Sequence, residues 1–151
     1  MANDSITCLN KLVETSKDGE FGFRDAAQHA VSPDLQQIFR RHADECRVGA
    51  TELQALVVQL GGSAEEGGTV AGAAHRSWMT VKGTLAGYTD LAILEECERG
   101  EDKAMSEYRE ALDETTLPAA ARVVVERQYE GVKRNHAEVR GLRDAARAAT
   151  R

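Results

Sequence analysis

The sequence is poor in the residues that build sheets, disulfide frameworks and membrane spans. Aromatic residues make up 5% of its 151 positions and there are two prolines. A chain so short of aromatic and β-branched alternation gives no strand signal. The three cysteines, Cys8, Cys46 and Cys97, are an odd number at wide spacing. That pattern excludes a paired disulfide scaffold and a CxxC zinc site, and it fits a reducing compartment, so a cytoplasmic protein is expected. No run approaches the roughly 20 apolar residues of a membrane helix, so no membrane partner is expected. Met1–Asn10 has neither a basic start nor an apolar stretch, so no secretory leader is expected. The chain also lacks basic excess: its net charge of −6 argues against nucleic acid as a partner, because a polyanion needs a basic face. Nucleophile elbows and phosphate-binding glycine loops are missing too.

What is present is helix-forming residue in quantity, chiefly alanine, leucine, glutamate and arginine, on a chain long enough for one domain spanning 1–151. Apolar residues recur at helical spacing in four long segments. The first runs from about Ser5 to Ala30, with Ile6, Leu9, Val13, Ser16, Glu20, Phe23, Ala27 and Ala30 on one stripe. Ser32-Pro33-Asp34 then reads as an N-cap serine followed by proline at the first helical position. The second stripe carries Leu35, Phe39, His42, Cys46, Gly49, Leu53, Leu56 and Leu60, and Gly61-Gly62 ends it. Thr89-Asp90 opens the third, through Leu94, Glu98, Glu101, Tyr108 and Leu112. Leu117-Pro118 breaks it, and Val125, Val132, Val139 and Leu142 mark the last. Between Gly61 and Tyr88 a shorter segment, capped by Thr69, places Val70, Ala74, Trp78, Val81 and Leu85 on one face.

Tight connections at 31–33 and 115–118 make two antiparallel hairpins. The link of about 61–88 is long enough to travel the length of a bundle. The expected fold is therefore all-α: a four-helix bundle of two antiparallel hairpins joined by a long, partly helical crossover, the connectivity of ferritin-like proteins.

Several polar residues sit where such a bundle wants leucine. Glu20 lies within the first stripe, His42 near the centre of the second with Glu45 toward its edge, and Glu101 is central on the third with Glu98 beside it. Gln128, Asn135 and His136 border the fourth. Counted from their turns, Glu20 pairs in depth with Glu45, and Glu98 with His136. Buried carboxylates are costly unless paired or bound to a cation. A set of Glu20, His42, Glu45, Glu98, Glu101 and His136 offers hard oxygen with imidazole nitrogen, which suits iron or manganese, as one ion or two. The bland reading is a polar but metal-free interior. The run Glu95–Asp102 resembles a solvated acidic face, and Arg41, Arg47, Arg127 and Lys133 are available as ion-pair partners. Cys46 and Cys97 fall on inner faces and read as packing residues. His75, Arg76 and Trp78 on the crossover read as local packing, or, in a sharper reading, as a subunit or partner contact.

The segments KDGEFGF (17–23), GTVAGAAHRSW (68–78), LEECERGED (94–102) and ERQYEGVKRNH (126–136) resemble a bacterial family of ferritin-like four-helix bundles described as domain of unknown function 2383. The resemblance spans about Ser5 to Arg143 and implies the fold more than an activity. The wider ferritin and rubrerythrin group places one glutamate on each of two helices and a Glu-x-x-His pair on each of the others. By that resemblance Glu20 takes the first-helix position and Glu98 or Glu101 the third. The second helix departs, reading His42-x-x-Glu45 with Val48 where the histidine would follow. The fourth keeps His136 but has Lys133 in place of its glutamate. Two functions follow as expectations. One is a ferritin-like protein binding iron or manganese, with a stress-related oxidase or storage role and a homodimer or other homo-oligomer as its assembly. The other is a metal-free bundle acting as an interaction or scaffolding module.

Overall fold

The computed structural model describes residues 2–67 and 89–149, and within them the chain forms four long helices: α1 (Ala2–His29), α2 (Pro33–Gln59), α3 (Asp90–Glu114) and α4 (Ala119–Ala149). Each boundary has a local cause. Ser32 caps α2 through its Oγ, which accepts from the Leu35 N–H, with Pro33 behind it at the first turn. Gly61 takes a φ of +86°, and the Gly61 and Gly62 N–H groups donate to the Val58 and Val57 carbonyls, both at 3.0 Å, closing α2 in a Schellman turn. Thr89 caps α3 by accepting from the Ala92 N–H at 3.1 Å. These starts and stops agree with the capping residues read from the sequence. The expected short helix near 69–87, with His75, Arg76 and Trp78, lies outside the described residues.

Contacts between helix ends fix the topology. The Asp90 carboxylate accepts from the Val31 and Ser32 N–H groups at 2.8 and 3.2 Å, so α3 starts beside the α1–α2 turn. At the other end Ser5 reaches the Thr116 carbonyl at 3.4 Å. Thus α3 runs antiparallel to α1. Side-chain bridges from Glu52 to Arg127 and from Glu45 to Asn135 show that α4 runs antiparallel to α2. The order is up, down, down, up, which requires the long crossover. Its first residues are strapped to α1: Asn10 donates to the Ser63 carbonyl and accepts from the Glu65 N–H, both at 2.9 Å.

The core is not continuous. One apolar cluster, with Leu9, Leu12, Val13, Leu53, Val57 and Val125 nearly inaccessible, fills the end that holds the α3–α4 turn. A second, around Phe23, Phe39, Leu94 and Val139, fills the end that holds the α1–α2 turn. Burial of each such side chain contributes roughly 1.5–3 kcal/mol, so both ends are well driven. Between them lies a polar waist.

Candidate functional site

The waist forms because all the stripes change character at one level. On α1 the stripe passes from Val13 through Ser16 to Glu20, on α2 from Leu53 through Gly49 to His42, and on α3 from Tyr108 to Glu101. Glu20 and Glu101 are each 5% exposed and His42 is fully buried. A cavity of about 790 Å³ occupies this level, and Ser16, Gly49, Glu101, Tyr108 and Gly131 lie in its wall.

His42 is the centre of the arrangement. Its Nε2 lies 2.6 Å from Glu138 Oε1, and Glu138 is also held by Arg41. Arg41 Nη2 stands 3.4 Å from the same nitrogen, but it can donate there solely to a bare Nε2. The shorter contact places an Nε2–H toward Glu138, which in the neutral ring leaves the lone pair on Nδ1. Burial would raise the Glu138 carboxyl, yet hydrogen bonds from Arg41 and His42 hold it below the usual carboxylate range. The Phe23 ring meets the imidazole edge-on, with centroids 4.8 Å apart.

On its other side Nδ1 faces Glu101 Oε1 at 3.8 Å, and both atoms are buried without a hydrogen-bond partner. Burial, then the negative charges of Glu138, Glu45 and Asp102, push the Glu101 carboxyl up to about 8. Two bare acceptors that face one another repel unless a cation lies between them, and a proton or a metal ion can serve.

The remaining expected ligands do not join this pair. Glu20 is bound by Arg24 and lies 3.6 Å from Lys17 Nζ, although its Oε1 lacks a hydrogen bond. Glu45 is 49% exposed, accepts from Asn135 at 2.6 Å and stands 3.9 Å from Arg41. Glu98 pairs with Arg143, and His136 Nε2 meets Asp102 Oδ1 at 2.5 Å. The depth match between α1 and α2 holds, since a Cβ built at Gly19 would touch Cys46 Sγ. Glu98 and His136, in contrast, face different partners. Long side chains lean toward their helix N-terminus, so Arg143 covers the patch beside Glu98 from about a turn away. Lys133 bonds Glu130 at 2.7 Å and lies over the Tyr129 ring, away from the waist carboxylates.

The donor set can be tested against a metal on this geometry. A two-ion centre does not fit: among the described residues no three His, Cys, Asp or Glu side chains gather closely enough to hold a metal ion. The two carboxylates at His42 flank opposite ring nitrogens and cannot meet at one point with it. What the orphaned atoms offer a single cation is two facing donors, short of a group of three. His42 Nδ1 and Glu101 Oε1 are unpartnered, and the other ring nitrogen is tied to a carboxylate, as metal-ligating histidines usually are.

Glu138 and Asp102 are the functional neighbours that the helical stripes did not single out. Glu138 adjoins Val139 and falls on the flank shared with Asn135, which was the available signal. Tyr108 and Gln128 close the waist below, with a 2.7 Å hydrogen bond from the phenol to Gln128 Oε1, while Gln128 donates to the Gly49 carbonyl at 3.2 Å. Burial pushes the Cys46 thiol up to about 12 and that of Cys97 higher still, with Glu101 adding to both. Neither is a ready nucleophile.

Among solved structures, a bacterioferritin-related dodecameric thioferritin from Bacteroides fragilis superposes with a TM-score of 0.77 at 14% identity, covering 99% of this chain and 90% of that one. A Dps1 mutant from Mycobacterium smegmatis gives 0.75 at 15% identity over 94% and 96% of the two chains. A C-terminal deletion mutant of Mycobacterium smegmatis Dps gives 0.75 at 15% over 93% and 98%. These likenesses establish a ferritin-like four-helix fold. No helix among the described residues is long and apolar enough to cross a membrane. No curated protein matches the sequence. Residues 4–114 match the family described as Domain of unknown function (DUF2383), and the chain belongs to that family of ferritin-like bundles.

Proposed function

We propose that this protein binds one divalent cation per chain, iron or manganese, at His42 and Glu101, and serves in storage or oxidase-type handling of that metal. The observation that carries the reading is the facing pair of unpartnered acceptors, His42 Nδ1 and Glu101 Oε1, 3.8 Å apart in a buried waist. Glu101 would neutralise charge, and His42 would give a nitrogen donor that suits both ions. Glu138 holds the imidazole in the donor tautomer, Arg41 balances Glu138, and Phe23 shields one flank of the ring. A bound iron or manganese ion would supply Lewis acidity and redox capacity beside a cavity that a small oxidant can enter. The dodecameric state in the name of the Bacteroides fragilis protein supports an assembly of several copies here.

Elemental analysis of untagged protein from cells supplied with iron and manganese tests this. The expected result is near one ion per chain, lost in Glu101→Ala and in His42→Ala with helix content unchanged, and kept in Glu98→Ala and His136→Ala. The ion pairs of Glu98 and Glu20 favour a second reading, a metal-free bundle used as an interaction module. Metal-free, fully helical wild type would overturn the first reading in favour of the second.

A further inference from the structure

The cavity in the waist is larger than a cation requires. Its roughly 790 Å³ falls in the range of about 300–1,000 Å³ usual for small-molecule sites, where a water takes about 30 Å³. Glycines keep it open. Gly22 on α1, Gly49 on α2, Gly100 on α3 and Gly131 on α4 all lie in its wall, well inside their helices. Each such glycine costs a helix about 0.5–1 kcal/mol relative to alanine. At Gly22, which is half-buried, a built Cβ would meet nothing within 4 Å, so close packing does not demand glycine there, while Gly100 is exposed. What Gly22 leaves is space. Phe23, Val132 and the Tyr108 ring give the chamber apolar surface, and exposed residues of α2 and α4, such as Val48 and Arg134, mark its opening to the outside.

A second, independent observation points to a guest. The carboxyl of Glu101, 5% exposed, forms part of this wall and has an oxygen with no hydrogen-bond partner. A buried acceptor of that kind is matched by a hydrogen-bond donor on whatever fills the chamber. We propose that the waist cavity binds a small apolar organic molecule carrying one hydrogen-bond-donating head, an alcohol or primary amine, with the head at Glu101 and the tail along Phe23 and Val132. The anchor is the same Oε1 that faces His42 Nδ1, so the guest's head and the cation are alternative occupants of it, and the inference does not rest on the cation reading.

The test uses the full chain stripped of metal by chelation and titrated calorimetrically at pH 9, where the Glu101 carboxyl is ionised, with 1-hexanol, hexylamine and hexanoate. One saturable site per chain is expected for hexanol and hexylamine, with hexanoate at least about tenfold weaker, because its head brings an acceptor against Glu101. Gly22→Leu and Ala104→Phe, which fill the chamber, weaken both tight guests by about tenfold or more. Gly22→Leu also gains helix propensity, so its circular dichroism stays that of the wild type. Glu101→Leu removes the preference for a donor head while apolar binding persists. Absence of saturable binding to the wild type, unchanged binding in Gly22→Leu, or hexanoate binding as tightly as hexanol would each overturn the proposal. The metal content of the wild type before chelation tests the cation reading separately: one ion per chain with no guest binding to the chelated protein overturns the chamber proposal alone.

Discussion

Replacing Glu101 by glutamine separates the protonated carboxyl from its carboxylate while keeping shape and a donor for His42 Nδ1. In the folded chain this carboxyl is raised from 4.5 to about 8, chiefly by burial. The folded state therefore holds a proton that the unfolded chain releases between those two values. The resulting stability is fully present below about pH 4.5 and is lost as pH rises through about 8. With about 1.4 kcal/mol per unit, the loss comes to about 4 kcal/mol between pH 5 and pH 9, more than half of it gone by pH 7. For a domain of this size that corresponds to a fall in melting temperature on the order of 10 °C. Glutamine does not titrate, so Glu101→Gln should lack this component. Urea unfolding of chelator-treated wild type and variant, followed by circular dichroism at unit steps from pH 5 to pH 9, measures it. The difference between the two stability curves should grow steadily in favour of the variant toward alkaline pH. Parallel curves would refute the reasoning, since they would mean that the carboxyl titrates in the waist as it does in water.

Three further outcomes follow from named contacts. At Gly19 a new Cβ would lie 2.8 Å from Cys46 Sγ, whereas at Gly22 it would meet nothing within 4 Å. Gly22→Ala should therefore stabilise by about 1 kcal/mol through helix propensity, while Gly19→Ala loses that gain to crowding and recovers it when Cys46→Ala is added; chemical denaturation of the set checks the order. The thiols of Cys46 and Cys97 should react with a disulfide reagent at pH 8 far more slowly in the folded protein than in urea, as timed by absorbance, because burial disfavours both thiolates. Asp90→Ala should destabilise by about 1–3 kcal/mol in equilibrium unfolding, because two N–H groups of the α1–α2 turn lose a charged acceptor.

The fold was readable because its signals are local. Ser32-Pro33, Gly61 and Thr89 cap their helices through neighbouring backbone, and the apolar stripes repeat within a single segment. Glu20, His42 and Glu101 were legible as buried for the same reason, each lying inside its stripe. What periodicity could not supply is the direction of a long side chain once several partners compete. Glu45 sits at the right depth yet turns outward to Asn135, and Glu98 is taken by an arginine reaching across from α4. Glu138 escaped notice because it lies on the rim of its helix face, where burial is partial and the partners, Arg41 and His42, come from another hairpin. Pairings across the bundle depend on rotamer and reach, and a single sequence carries neither.

The division of the core into two apolar clusters bears on how the molecule comes apart. Cooperativity in a bundle is carried by side chains packed in an unbroken series, and here the series is interrupted by a chamber at mid-height. Damage at Leu9 or Val125 and damage at Phe39 or Val139 should then add as separate losses with little mutual coupling. Native-state hydrogen exchange should resolve the bundle into two opening units, hinged where the glycines face the waist, each a half-barrel of four helical stubs with its own free energy of release.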